Sequence, residues 1–218
     1  MGHYFINEDL EHDEKKIKVK IKNIDFEFIT DNGVFSKKGM DFGTRTLLEN
    51  LNYENLKGKI LDFGCGYGSI GIVISKITNQ EVDMIDINKR SLELSKKNSK
   101  LNKVKTNVFE SNIYENVSEK YDYIISNPPI RVGNEILYKI LFEAQEHLNK
   151  NGQLWIVVNK DQGAKSLTEK LRKNYNVNIV TKNKGFFVIL CQNNWHFDIC
   201  LLELYIGSNY FKHFFKSV

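Results

Sequence analysis

Ile60-Leu61-Asp62-Phe63-Gly64-Cys65-Gly66-Tyr67-Gly68 is the stretch on which the fold turns, an apolar run that halts at an acid and passes into glycines at alternate positions. A short apolar run bounded by glycine reads as a buried strand, and the apolar residues from Ile70 to Ile74 read as the start of a helix. Strand, glycine turn and helix in that order make half of a parallel crossover unit. Gly64 and Gly66 permit torsions and contacts that a β-carbon forbids, and the following helix would offer its free N–H groups to a carboxylate or phosphate. A second apolar run over 82–87 carries an acid, Asp86, roughly 20 residues past the turn, where a carboxylate can grip both hydroxyls of a ribose. Asp86 also has a plainer reading, as a loop residue just ahead of a helix capped by Asn88.

Outward from this unit, short apolar runs keep alternating with longer helical patterns. Strands are expected over 60–63, 82–87, 105–110, 121–126, 153–158, 177–181 and 186–191, and helices over 69–78, 91–101, 135–148 and 163–174. The run 154–158 shows no polar alternation, as expected of a strand covered on both faces. The fold class is therefore α/β: a Rossmann-like, doubly wound, seven-stranded and mostly parallel sheet, which binds ligands where its strand order reverses. Ahead of it, Ile17, Val19 and Ile21 alternate with Lys16, Lys18, Lys20 and Lys22, and 26–30 forms a second run, so an N-terminal β-hairpin extension is expected. Its lysine face reads either as a rail for RNA phosphates or as an edge strand protected from pairing by charge. The expected division is 1–58 for the hairpin and a pocket-lip segment, 59–191 for the cofactor-binding core, and 192–218 for a C-terminal extension.

A chain of 218 residues that is 41% hydrophobic can build one sizeable core. A net charge of +4 permits a phosphate-rich partner but falls short of a dedicated nucleic-acid binder. Cys65, Cys191 and Cys200 lack metal-ligand spacing, so reduced thiols and no metal site are expected. Residues 1–11 carry acids and no signal pattern, and the apolar clusters are too short to cross a bilayer. A cytoplasmic monomer with no membrane partner is the expectation.

Asn127-Pro128-Pro129-Ile130, directly after an apolar run, is the second chemical signal. An exocyclic amine conjugated with a ring is a poor nucleophile until its N–H groups are oriented. The Asn127 side-chain oxygen and the Pro128 carbonyl could each accept one N–H, drawing electron density toward the nitrogen. Pro128 fixes its own φ and Pro129 pushes it into an extended conformation, so the carbonyl would be held in advance. The alternative is a strand ended by a Pro-Pro turn.

Alternating glycines, rather than the G-x-G-x-x-G of dinucleotide sites, resemble motif I of the class I S-adenosylmethionine methyltransferases. That resemblance implies S-adenosylmethionine as cofactor, with Asp62 near its methionine part and Gly64, Cys65, Gly66 and Gly68 in the turn beneath it. It also implies Asp86 and Ile87 at the ribose and Asn127 beside the transferred group. Asn112 stands where the family often has an Asp that accepts the adenine amine. Its amide oxygen can still accept one hydrogen bond, or it is a turn residue only.

A narrower resemblance rests on His3-Tyr4-Phe5, on Gly33-Val34-Phe35-Ser36, on Asp41-Phe42-Gly43-Thr44-Arg45, on the glycine turn and on 127–133. Over 3–190 the chain resembles the small-domain methyltransferases related to the bacterial 16S ribosomal RNA guanine-N2 methyltransferases. This implies that Phe35, Ser36, Asp41 and Thr44 form a lip over cofactor and target base; the other reading makes 39–44 an ordinary entry into a helix over 47–51. Lys37, Lys38, Arg45 and Arg131 would meet phosphates or stand as solvated charges. Ile130 occupies a position where amine methyltransferases frequently place an aromatic; isoleucine cannot stack, so the base would be held by other groups or by the shape of the RNA. The implied reaction is methyl transfer to an exocyclic amine of an RNA base, foremost guanine N2, with ribosomal RNA or the small ribosomal subunit as partner. A protein glutamine side chain as acceptor, or a non-catalytic RNA-binding module, are the alternatives. The extension, with Trp195, Phe197, Leu201, Phe211 and Phe214, follows a sheet already complete and reads as a partner-binding segment or an atypical C-terminus.

Overall fold

The computed structural model describes residues 10–193. His3, Tyr4, Phe5, Cys200 and the aromatic-rich stretch 194–218 lie outside the described residues. β1 (Lys15–Ile21) and β2 (Ile24–Thr30) form an antiparallel hairpin. Its turn residues Lys22 and Asn23 both have positive φ, 47° and 63°, which matches the twist of a two-residue hairpin loop. Val19, Ile21, Phe26 and Phe28 face inward, while Lys16, Lys18 and Lys20 are exposed. Lys18 and Lys20 lie 3.4 and 3.9 Å from Glu27 and Asp25 on the neighbouring strand. The lysine face is thus partly neutralised by its own hairpin, which favours the protected edge over the phosphate rail.

The chain continues through α1 (Phe42–Asn50), β3 (Ile60–Phe63), α2 (Ser69–Thr78), β4 (Val82–Asp86), α3 (Lys89–Asn102), β5 (Thr106–Glu110) and β6 (Tyr121–Ser126). It then runs through α4 (Asn134–Glu143), β7 (Leu148–Asn159), α5 (Ala164–Leu171), β8 (Tyr175–Asn183) and β9 (Phe186–Asn193). The last seven strands form one sheet in the order β5-β4-β3-β6-β7-β9-β8, parallel from β5 to β7, with β9 antiparallel to both neighbours. The expected doubly wound, mostly parallel sheet is present. Trp155 and Val157 pack on the face covered by α1, α2, α3 and the hairpin, whereas Leu154, Ile156 and Val158 pack on the face covered by α4 and α5. Both faces of β7 are dry, and this is why its sequence does not alternate.

Several boundaries differ from expectation. The helix expected over 135–148 stops at Glu143, gives way to a 3-10 turn (Ala144–His147), and Leu148 already pairs with Tyr121. β7 starts ahead of 153 because it carries an irregular register there, with Asn151 at φ 64° and Gly152 packed so closely that a β-carbon would meet Asn149 O at 2.9 Å. A local pattern of Asn and Gly looks like a turn, and only pairing makes it a strand. α5 also ends at Leu171, ahead of 174, and β9 runs on to Asn193, which pairs with Tyr175 beyond the expected core limit at 191.

The hairpin is joined to the core by two asparagines of α3. Asn98 accepts from Ile29 N at 2.6 Å and donates to Ile29 O at 2.9 Å; Asn102 accepts from Glu27 N at 3.2 Å and donates to Glu27 O at 2.6 Å. Four helix residues rise about 6 Å and two strand residues about 6.6 Å, so side-chain amides at this spacing can serve as a surrogate strand for the free edge of β2. Among the described residues no helix is long and apolar enough to cross a membrane.

Candidate active site

In the strand order the direction of winding reverses between β3 and β6, so the chain segments leaving these two strands flank the crevice where such sheets bind ligands. The segment leaving β3 is the glycine turn, and the one leaving β6 is Asn127 to Ile130. Ser126 Oγ donates to Phe63 O at 2.8 Å, tying the two exits together.

On the glycine side the backbone does the building. Gly64, Gly66 and Gly68 have φ of 69°, 56° and 90°, a region that side chains with a β-carbon rarely enter. A β-carbon on Gly64 or Gly66 would meet no atom within 4 Å, so both face open space, whereas one on Gly68 would meet Ile72 Cδ1 at 2.8 Å. Cys65 N donates to Ile85 O at 2.9 Å and Gly66 N to Asp86 Oδ2 at 2.9 Å, which binds the turn to the end of β4. Asp86 Oδ1 also accepts from Asn88 N at 2.9 Å, and burial pushes its carboxyl pKa up against these N–H groups. Asn88 caps α3, accepting from Arg90 N and Ser91 N, so the cap and the acid sit side by side and Asp86 is not itself the cap. Ile87, half-buried, joins them.

Asp62 is fully buried. One of its oxygens accepts from Gly71 N at 2.8 Å, and the other, Oδ1, is buried with no partner. Burial raises its pKa to about 7, opposed by the Gly71 N–H and reinforced by the charge of Asp86. A buried acid with an orphaned oxygen, beside an open cradle of two glycines and a second acid, fits a ligand carrying an ammonium and a ribose. Cys65 is buried, its thiol pushed up by burial and by both acids, with Sγ 3.5 Å from Ser95 Oγ; it packs and stays protonated.

On the other side of the crevice, Asn127 is reached by α1. Asp41 caps that helix, Oδ1 accepting from Gly43 N at 3.0 Å and Oδ2 from Thr44 N at 2.8 Å. The same Oδ2 accepts from Thr44 Oγ1 at 2.8 Å and from Asn127 Nδ2 at 2.8 Å, while Asn127 Nδ2 also donates to Thr44 Oγ1 at 2.9 Å. Asp41 is thus the entry cap of α1, and the same carboxylate oxygen also reaches Asn127. Pro128 is buried and Pro129 has φ −74° and ψ 83°, leading into a 3-10 turn (Ile130–Val132). Ile130 is half-buried against the core cluster that includes α4, which accounts for an aliphatic residue there.

The remaining expected residues spread around this centre. Phe35 is 51% exposed, and Ser36, at φ 60°, donates from Oγ to Gly39 O at 2.5 Å. Their loop is pinned at one end by Asn88 Nδ2 on Gly33 O at 3.2 Å and reaches Asp41 at the other, so it spans from the β4 exit to the β6 exit. Asn112 donates from Nδ2 to Glu115 Oε1 at 2.8 Å and its carbonyl accepts from Glu115 N at 3.1 Å, a turn role that leaves its Oδ1 without a donor among the described residues. Lys37 donates to Asn32 Oδ1 and Arg45 to Lys20 O, so both are engaged within the fold; Lys38 is exposed, and the Arg131 side chain lies outside the described residues. Gly71 and Ser126 were missed from sequence. A β-carbon on Gly71 would meet Met84 Sδ at 2.4 Å, and a lone glycine inside a helical pattern is the signal that close packing was needed.

A doubly wound sheet with an open glycine turn and an Asn-Pro-Pro exit at its switch point defines a methyltransferase fold. A sequence model of the methyltransferase small domain matches residues 25–190, and the chain belongs to that S-adenosylmethionine-dependent family. The uncharacterized protein YbxB of Bacillus subtilis (strain 168) is 42% identical over 176 residues, covering 78% of this chain and 87% of YbxB. Ribosomal RNA small subunit methyltransferase C of Haemophilus influenzae (strain ATCC 51907 / DSM 11121 / KW20 / Rd) is 36% identical over 167 residues, 74% of this chain and 49% of the enzyme. The chain thus spans about half the length of that relative. The solved T. thermophilus 16S rRNA N2 G1207 methyltransferase (RsmC), in complex with AdoMet and guanosine, superposes with a TM-score of 0.76 at 21% identity, covering 83% of this chain and 51% of that one.

Proposed function

We propose that this chain transfers the methyl group of S-adenosylmethionine to an exocyclic amine of a ribosomal RNA base, foremost the 2-amino group of guanine in small-subunit RNA. The observation that carries the reading is the tie between Ser126 and Phe63, which sets the glycine turn and the Asn127-Pro128 acceptors at one crevice. The relatives named as small-subunit RNA methyltransferases, and the solved relative's guanosine, support the substrate class.

Gly64 and Gly66 would leave room for the cofactor, Asp86 would take its ribose hydroxyls, and Asp62 Oδ1 is an acceptor available to its ammonium. When bound, the cofactor supplies an electrophilic methyl group on a sulfonium whose departure leaves a neutral thioether. The protein's own work is orientation: Asn127 Oδ1 and the Pro128 carbonyl take the two N–H groups of the amine and turn its lone pair toward the cofactor. The surplus proton leaves to water. His12 pairs with Asp31 and His147 stacks on Tyr114, so neither belongs to this centre.

Incubation with methyl-labelled S-adenosylmethionine and small ribosomal subunits or deproteinised RNA from cells lacking the protein tests the reading. N2-methylguanosine found by nucleoside mass spectrometry is the expected outcome. Label in a protein glutamine, or no label with tight RNA binding, overturns it.

A further inference from the structure

We propose that Asp41 and Thr44 are positioning residues that lock the Asn127 amide in one orientation, so that the site accepts an N–H donor and rejects a carbonyl. This rests on the reading of Asn127 as an amine acceptor. An asparagine amide is nearly symmetric in shape, and if it flips it offers two donors where it had offered an oxygen. In an amine methyltransferase that flip inverts the selection.

Here the flip is blocked from two sides. Asp41 Oδ2, an acceptor, lies 2.8 Å from Asn127 Nδ2, so the nitrogen and not the oxygen must face it. Thr44 Oγ1 gives its own hydrogen to Asp41 Oδ2 at 2.8 Å, which leaves its lone pairs to face Asn127 Nδ2 at 2.9 Å. Both acceptors lie on the α1 side of the amide and hold its nitrogen, not its oxygen, toward the helix. Asn127 Oδ1 accepts from no described residue and is the group left to meet a substrate. Thr44 is buried and Asp41 is anchored by the Gly43 and Thr44 N–H groups, so the acceptors are rigid. A base edge that presents a carbonyl or a ring nitrogen to Asn127 would set lone pair against lone pair.

The test uses the full chain and small ribosomal subunits lacking the modification. Asp41→Asn keeps a good helix cap, so the melting temperature should hold, but it replaces the acceptor facing Asn127 by an amide that no longer dictates the flip. With one acceptor misplaced, kcat should fall about 100-fold while S-adenosylmethionine affinity by calorimetry is unchanged. Thr44→Val should lower kcat, and Thr44→Ser should recover most of it because the hydroxyl is restored. Independently of turnover, hydrogen exchange of the Asn127 side-chain NH2, followed by 15N NMR, should be at least about tenfold slower in the wild type than in Asp41→Asn, since only the former keeps the amide nitrogen held by two acceptors. Equal exchange rates, or an Asp41→Asn kcat within threefold of wild type, overturn the clamp. Absence of any methyl transfer by the wild type overturns the functional reading instead, and the exchange comparison still decides the clamp.

Discussion

The two walls of the crevice are built by different means. The glycine wall is largely local: Asp62, the three alternating glycines and Asp86 lie on β3, on the turn that leaves it and on the adjacent β4, and backbone torsion with two hydrogen bonds holds them. The Asn127 wall is remote in sequence, because its orienting groups, Asp41 and Thr44, lie 86 and 83 residues upstream. They come from a segment whose place depends on the hairpin docked onto α3. The contrast teaches that damage to the N-terminal segment should cost amine orientation more than cofactor binding.

The sharpest way to break the comparison is Asn127→Ala. Loss of a preorganised acceptor should lower kcat by about 10²–10³-fold, with S-adenosylmethionine affinity held within a few fold in calorimetry. Asp86→Ala should do the reverse. Hydrogen bonds to a charged group contribute about 1.5–3 kcal/mol, so cofactor affinity should weaken by tens of fold while kcat at saturating cofactor is largely kept.

A smaller effect joins the two walls. Asn102→Ala leaves the Glu27 N–H and carbonyl without their side-chain partners, at a cost of about 1–3 kcal/mol, or several degrees in a thermal melt. Because the same hairpin leads into the Asp41 loop, kcat should fall with little change in cofactor affinity. Equal losses of both would mean that the hairpin supports the whole crevice.

A pH dependence of the glycine wall is also expected. The Asp62 carboxyl is raised by burial to about 7, above its ordinary 3.8, so the folded protein holds that proton more tightly than the unfolded chain. Its contribution to stability is complete below about pH 4 and is lost as the pH climbs through about 7. The difference in melting temperature between wild type and Asp62→Asn, measured without cofactor, should move in the variant's favour from pH 5 to pH 8. A constant difference would mean that Asp62 is not the titrating group.

Much of the sheet was legible because buried parallel strands leave unbroken apolar runs and glycine ends them. The start of β7 was not, since Asn151 and Gly152 resemble a turn until Leu148 pairs with Tyr121. The surrogate strand of Asn98 and Asn102 was also invisible, because polar residues four apart on a helix ordinarily face water. Ile130 stands where an aromatic was expected, and its packing on the core cluster that includes α4 accounts for an aliphatic residue without reference to a base.

What the sequence determined by itself was the strand-turn-helix unit, the alternating glycines and the Asn-Pro-Pro exit, since each depends on torsions and spacing within a few residues. What only the tertiary structure decided was which way Asn127 points. A planar amide carries no preference of its own for either orientation; it takes one when an acceptor from a distant segment is brought to 2.8 Å of its nitrogen.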